Sequence, residues 1–180
     1  MKRWWLVVVI AAGALLALGS LAVSQMIDVL KRSAAASRLK LPNEPTDDRT
    51  RDRLAYLAKH VPELLAVLRE YDPGARITSG FRAPDVNAAI GGSSSSRHRH
   101  GLAVDFGNGW NSGGTYNAAT YLRDNQHRVA KLRDVIAEVD HLHVELLDPF
   151  GELDNPGRPP RFRYELPAGP VDGRRFAPIA

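Results

Sequence analysis

From Asp48 to Tyr71, apolar residues fall at Leu54, Leu57, Val61, Leu64, Leu65 and Leu68, the spacing of a helix with one buried stripe. Pro62 lacks an amide hydrogen and crowds the preceding turn, so the pattern predicts two helices that meet near His60. Tyr71-Asp-Pro-Gly74 reads as a turn, Ala75 to Phe81 as a strand, and Pro84 to about Ile90 as a short helix with proline in its first turn. The Gly- and Ser-rich stretch 91–96 and the Gly- and Asn-rich stretch 108–115 read as loops. Gly101 to Phe106 alternates like a strand, and so does His141 to Leu146. Tyr116 to Val139 reads as one long helix, or a helix with a break. Beyond Pro149 come Pro156, Pro159, Pro160, Pro167, Pro170 and Pro178, a density that predicts an extended tail without a core of its own.

The N-terminal pattern is different in kind. Trp4 to Val23 carries no charge, and its 20 residues suffice for a helix across a hydrocarbon core about 30 Å thick. Lys2 and Arg3 precede it, which places the N-terminus in the cytoplasm and everything after Ser24 outside. Trp4 and Trp5 suit the interface as anchors. The competing reading is a cleaved signal peptide, since Ala22-Val23-Ser24 resembles a small-residue cleavage site. Both readings export the rest of the chain. Met26, Ile27 and Leu30 continue the helical pattern, and Ser33 to Ser37 and Pro42 to Pro45 then break it. The chain thus divides into an anchor or signal segment (1–24), a stalk (25–48), one domain (49–149) and a Pro-rich tail (150–180). The expected fold is α+β, a small antiparallel sheet carrying a site, with helices packed on its other face.

Composition narrows the chemistry. Hydrophobic residues make up 44% and charged residues 24%, which is ordinary for a globular domain. The absence of cysteine excludes disulfides, thiolate metal sites and a lipid anchor on cysteine, so any metal must be held by His and carboxylates. Lys2 and Arg3 supply two of the net +4, leaving only +2 for the exported part. That balance speaks against nucleic acid as partner and tolerates an anionic cell-wall polymer nearby. The chain is expected to act as a monomer.

The two alternating segments carry the candidate chemistry. In Gly101–Phe106 the bulky Leu102, Val104 and Phe106 share one face, while Asp105 lies on the other between small residues. In His141–Leu146, Leu142, Val144 and Leu146 form the apolar face, and His141, His143 and Glu145 the opposite one. His98 precedes Asp105 by seven residues. One His, one Asp and a distant His make a three-ligand set that leaves a fourth position open, as catalytic zinc requires. Zinc lowers the pKa of its water to about 7, and a nearby carboxylate is needed as general base. Each residue alone has a plainer reading: Arg82 as a surface arginine, Asp105 as a loop cap, Ser93–Ser96 as a flexible linker. His100 and His127 fall at no motif position and read as solvated.

Three segments, in order, resemble a known family. Ser96-Arg-His98-Arg-His-Gly101-Leu-Ala103-Val-Asp105 is similar to the S-x-H-x-x-G-x-A-x-D motif of zinc D-Ala-D-Ala carboxypeptidases. Those enzymes form one group with lysostaphin and the hedgehog signalling domain. Ser79-Gly-Phe-Arg82-Ala-Pro84-Asp-Val-Asn87 resembles the S-G-[YF]-R-[ST]-x-x-x-N segment, with Ala83 where Ser or Thr is usual, and Asp140-His141-Leu-His143-Val resembles the D-H-x-H-V closing motif. The resemblance implies zinc held by His98, Asp105 and His143. It implies Asp140 as general base, Arg82 on the substrate carbonyl or carboxylate, and His141 as a hydrogen-bonding group in the transition state. Ser96 would steady the loop that presents His98, or touch substrate. Glu138 is the rival base, since Glu138-x-x-His141 reproduces the E-x-x-H spacing of other branches.

The function implied is zinc-dependent hydrolysis of peptidoglycan stem peptides, with D-Ala-D-Ala carboxypeptidase as the leading reading. An endopeptidase or phage lysis enzyme of the same chemistry is the alternative. A non-catalytic cell-wall-binding module is the alternative of another class. The expected place is the bacterial cytoplasmic membrane, single-pass, with the domain on the extracytoplasmic side, or secreted if the N-terminal segment is cleaved.

Overall fold

The computed structural model describes residues 22–129, 131–154, 157 and 159–164. Most of the expected membrane helix at 4–23 therefore lies outside the described residues. Among the described residues no helix is long and apolar enough to cross a membrane.

Residues 22–31 are helical (α1) and lead into α2, Ala34–Leu39, whose N-cap Ser33 accepts a hydrogen bond from Ala36 N. α3 runs unbroken from Asp48 to Tyr71, with Asp47 as N-cap to Thr50 N at 2.8 Å. The two helices expected on either side of Pro62 are one. Pro62 lies on the exposed face, while Leu54, Leu57, Ala58, Val61, Leu64, Val67 and Leu68 continue the buried stripe across it. Burial along that stripe outweighs the roughly 3 kcal/mol that an interior proline costs.

β1 (Arg76–Ser79), α4 (Pro84–Ala89), β2 (Ala103–Gly107) and α5 (Ser112–Asp124) follow. α5 begins inside the expected 108–115 loop because Asn111 caps it, accepting from Gly114 N at 2.9 Å. It does not run on to Val139. It ends at Asn125, a short 3-10 turn covers Gln126–Arg128, and β3 occupies Leu132–Ala137. β3 is shielded on both faces, with only Arg133 partly open. A strand covered on both sides shows no alternation, which is why it resembled the end of a helix. β4 is Leu142–Leu146.

The sheet has five strands in the order β1-β2-β4-β3-β5 and is mixed, correcting the expected small antiparallel sheet. β5, Arg161–Tyr164, lies within the stretch expected to be a tail and pairs parallel with β3. Arg161 makes two hydrogen bonds to the buried Asp134, and Phe162 and Tyr164 pack against the core. One sheet face, carrying Val104, Phe106, Val135, Leu142, Val144 and Leu146, packs in the core with α3 and α5.

The expected stalk is likewise part of this body. Leu30 is fully buried in the core, and its carbonyl accepts from Phe81 N at 2.8 Å.

Candidate metal centre

β2 and β4 pair antiparallel with Asp105 opposite His143 and Ala103 opposite Glu145. Strand alternation turns these four away from the apolar face, so two ligand candidates meet on adjacent strands with a small residue beside them. His98 arrives from a 3-10 turn, Arg97–His100, which Gly101 ends at φ +69°. A Cβ at Gly101 would stand 3.0 Å from Leu54 N, so a side chain there would strain the backbone and press on α3.

His98 Nε2 lies 3.1 Å from both Asp105 Oδ1 and His143 Nδ1, and His143 Nδ1 lies 2.8 Å from Asp105 Oδ1. Tetrahedral zinc with ligands at about 2.0–2.2 Å needs donor atoms about 3.3–3.5 Å apart. Outward shifts of a few tenths of an ångström meet that requirement. Both imidazoles are also set to present the correct nitrogen. His98 Nδ1 donates to Gly80 O at 2.6 Å, leaving Nε2 for the centre. His143 Nε2 donates to Glu145 Oε1 at 3.2 Å, leaving Nδ1 for the centre. The donor set therefore fits zinc in number, type and tautomer.

The electrostatics agree. Burial pushes the His98 imidazole below its usual pKa, which keeps it neutral. Burial raises the Asp105 carboxyl, but the two adjacent histidines more than reverse this and hold it well below the carboxylate range. Burial lowers His143, and hydrogen bonds to Asp105 and Glu145 overcome that effect, pushing it up to about 9. Positive charge is thus favoured between Asp105 and Glu145, and a metal ion held by His98, Asp105 and His143 would supply it there.

A cleft of about 380 Å³ opens over these residues. Arg82 lines it, 18% exposed, with Nη2 3.5 Å from Asp105 Oδ2. Ser96 lines it at the head of the turn that carries His98. His141 also faces it, its Nε2 3.8 Å from Asp105 Oδ1. Asp140 stands apart: it sits in the β3–β4 turn, its side chain is 81% exposed, and its carboxylate reaches His141 Nδ1 at 2.7 Å on the side away from Nε2. Glu138 does line the cleft, with Oε2 3.3 Å from His141 Nε2. Glu138 N donates to His141 O, closing the turn, and Thr115 Oγ1 donates to Glu138 O at 2.6 Å. His100 is half-buried rather than solvated, while His127 is exposed.

Sequence reasoning placed Glu145 on the metal face but gave it no task. It holds His143 and is itself bound by Arg133, which also contacts Asp134 and Asp154. Arg97 bonds the same Asp154 oxygen as Arg133, and Arg161 of β5 completes the network on Asp134. The legible signal was the His143-x-Glu145 spacing. Arg133 and Arg161 come from β3 and β5, neither of which the pattern revealed, while Arg97 stands in the turn that carries His98.

No curated protein matches the chain. A family model described as Peptidase M15 matches residues 33–145, well over half of the sequence and inclusive of every ligand, cleft and motif residue named above. The chain belongs to the peptidase M15 family and is a zinc-dependent metallopeptidase of the kind that acts on peptidoglycan, with His98, Asp105 and His143 as the group able to hold the ion.

Proposed function

We propose that this protein is a D-Ala-D-Ala carboxypeptidase that trims peptidoglycan stem peptides. The observation that carries the reading is Arg82, a partly exposed cation beside Asp105 in the cleft. A guanidinium there suits a substrate's terminal carboxylate and the oxyanion that forms at the adjacent carbonyl. Zinc, when bound, supplies Lewis acidity and makes water nucleophilic near neutral pH.

The chain's own residues would handle the protons. Asp140 accepts Nδ1–H of His141 and so directs His141 Nε2 into the cleft, where it can give a proton to the leaving amine. In this reading Asp140 is a positioning residue. Glu138, the cleft carboxylate nearest His141 Nε2, is the proposed general base in place of Asp140. Ser96 would shape the rim against substrate.

An endopeptidase or a phage lysis enzyme of the same chemistry is the second reading, favoured by the small residues Gly92, Ser93 and Ser95 that line the cleft beside Ser96 and leave room for a second peptide strand. The N-terminal segment is proposed to hold the domain at the outer face of the cytoplasmic membrane, and the protein to work as a monomer. Three substrates separate the readings: a stem pentapeptide ending in D-Ala-D-Ala, its C-terminal amide, and a cross-linked dimer. A carboxypeptidase cleaves the first and loses rate on the amide. Preference for the dimer would make the protein an endopeptidase, and zinc binding without cleavage of any would make it a wall-binding module.

A further inference from the structure

Asn43 lies in the segment whose composition suggested a stalk, 39 residues before the arginine of the cleft. Its side-chain amide brackets that arginine. Nδ2 donates to Phe81 O at 2.9 Å, and Oδ1 accepts from Ala83 N at 2.7 Å. The same Nδ2 donates to Lys31 O at 2.7 Å, at the end of α1. Three further backbone groups of this loop are also held from outside. Phe81 N donates to Leu30 O, Arg82 N donates to His98 O at 3.2 Å, and Gly80 O receives His98 Nδ1–H. The approach is close enough that a Cβ on Gly80 would stand 2.4 Å from Leu30 O.

Residues 80–83 form no strand or helix until Ala83 caps α4, so no ladder supports them. A backbone segment of that kind keeps its geometry only through such external partners. Asn43 supplies two of them, one on each side of Arg82, and ties both to α1.

We infer that Asn43 is a positioning residue for Arg82: with the end of α1 it holds the 80–83 loop so that the guanidinium meets substrate over the metal centre. This rests on the reading of Arg82 as a substrate group. It gives the segment before Asp48 a place in the active-site architecture.

The test uses the full chain at saturating zinc, so that any effect passing through His98 is removed. Asn43→Ala and Asn43→Asp are each made alone and on an Arg82→Ala background. Asn43→Asp keeps the acceptor for Ala83 N but turns an oxygen toward two carbonyls. Each single variant should lower kcat/KM by about tenfold or more, as expected for a misplaced substrate group. On the Arg82→Ala background the same change should alter the remaining rate by less than about twofold. Hydrogen exchange, which needs no turnover, should show faster exchange of the Arg82 amide with the amides of Asp105 and His143 still protected. An equal loss on both backgrounds, or unchanged exchange at Arg82, would overturn the inference. If the parent protein hydrolyses nothing, the functional reading fails separately, and the exchange experiment still decides whether Asn43 holds the loop.

Discussion

Glu145 Oε1 lies 3.2 Å from His143 Nε2, two residues apart on the same strand and the same face. This contact decides which nitrogen of His143 reaches Asp105 and His98. A carboxylate in that place also raises the basicity of the imidazole it holds. Glu145→Gln should weaken zinc binding by about 10- to 100-fold, as loss of such a partner does elsewhere. Competition against a chromophoric chelator measures it. Affinity equal to the parent's would remove Glu145 from the metal site.

Arg82 offers a planar fork that an ammonium does not reproduce. Arg82→Lys should lower kcat on a D-Ala-D-Ala peptide by roughly 10²–10³-fold, the usual cost of one oxyanion donor. Zinc content should stay at the parental level, because Arg82 contacts Asp105 only at 3.5 Å through Oδ2, whereas Oδ1 faces the two histidines. Metal analysis beside steady-state kinetics checks both halves.

Glu138 and Asp140 differ in position, and their amides should differ in effect. Glu138→Gln should abolish most turnover at saturating substrate. Asp140→Asn should leave a larger residual rate, since Asp140 reaches the cleft only through His141. The opposite order would return the general base to Asp140.

Arg53 and Asp148 form a buried pair joining α3 to the segment after β4. Burial raises the Asp148 carboxyl, but Arg53 and the backbone amides of Phe150 and Leu153 outweigh it and hold the pKa below the usual value. A depressed folded pKa gives stability that is complete above the unfolded value of about 3.9 and disappears as pH falls through the folded one. Asp148→Asn should therefore cost about 2 kcal/mol at neutral pH, the usual worth of hydrogen bonds to a charged group, since Arg53 keeps Glu152 at 2.6 Å. The gap between variant and parent should begin to narrow below about pH 4 and close only beneath the lowered folded pKa. Denaturant melts across that range test the sign.

The metal face was legible because β2 and β4 each bury one side and leave the other polar, so alternation assigned Asp105, His143 and Glu145 correctly to a common face. His98 was marked only by its place seven residues before Asp105 and by the resemblance, because the 3-10 turn that carries it has no periodic signal of its own. β3 escaped notice because Val135, Ile136 and Ala137 are buried on both faces, and β5 because proline density around it obscured four residues of strand. Pro62 misled in the other direction, since one missing amide on an exposed face does not end a helix whose buried stripe continues. Asn43 had no signal at all. Its partners are backbone atoms nearly forty residues away, and nothing in a sequence marks where such atoms will stand.

The most direct test of the zinc carboxypeptidase proposal is titration of zinc into the metal-free full chain while D-alanine release from a D-Ala-D-Ala pentapeptide is followed. The account predicts a rate that rises to a plateau at one equivalent, disappears with chelator, and is absent from Asp105→Asn. Stoichiometric zinc binding with no D-alanine released, or release that ignores the chelator, would contradict it.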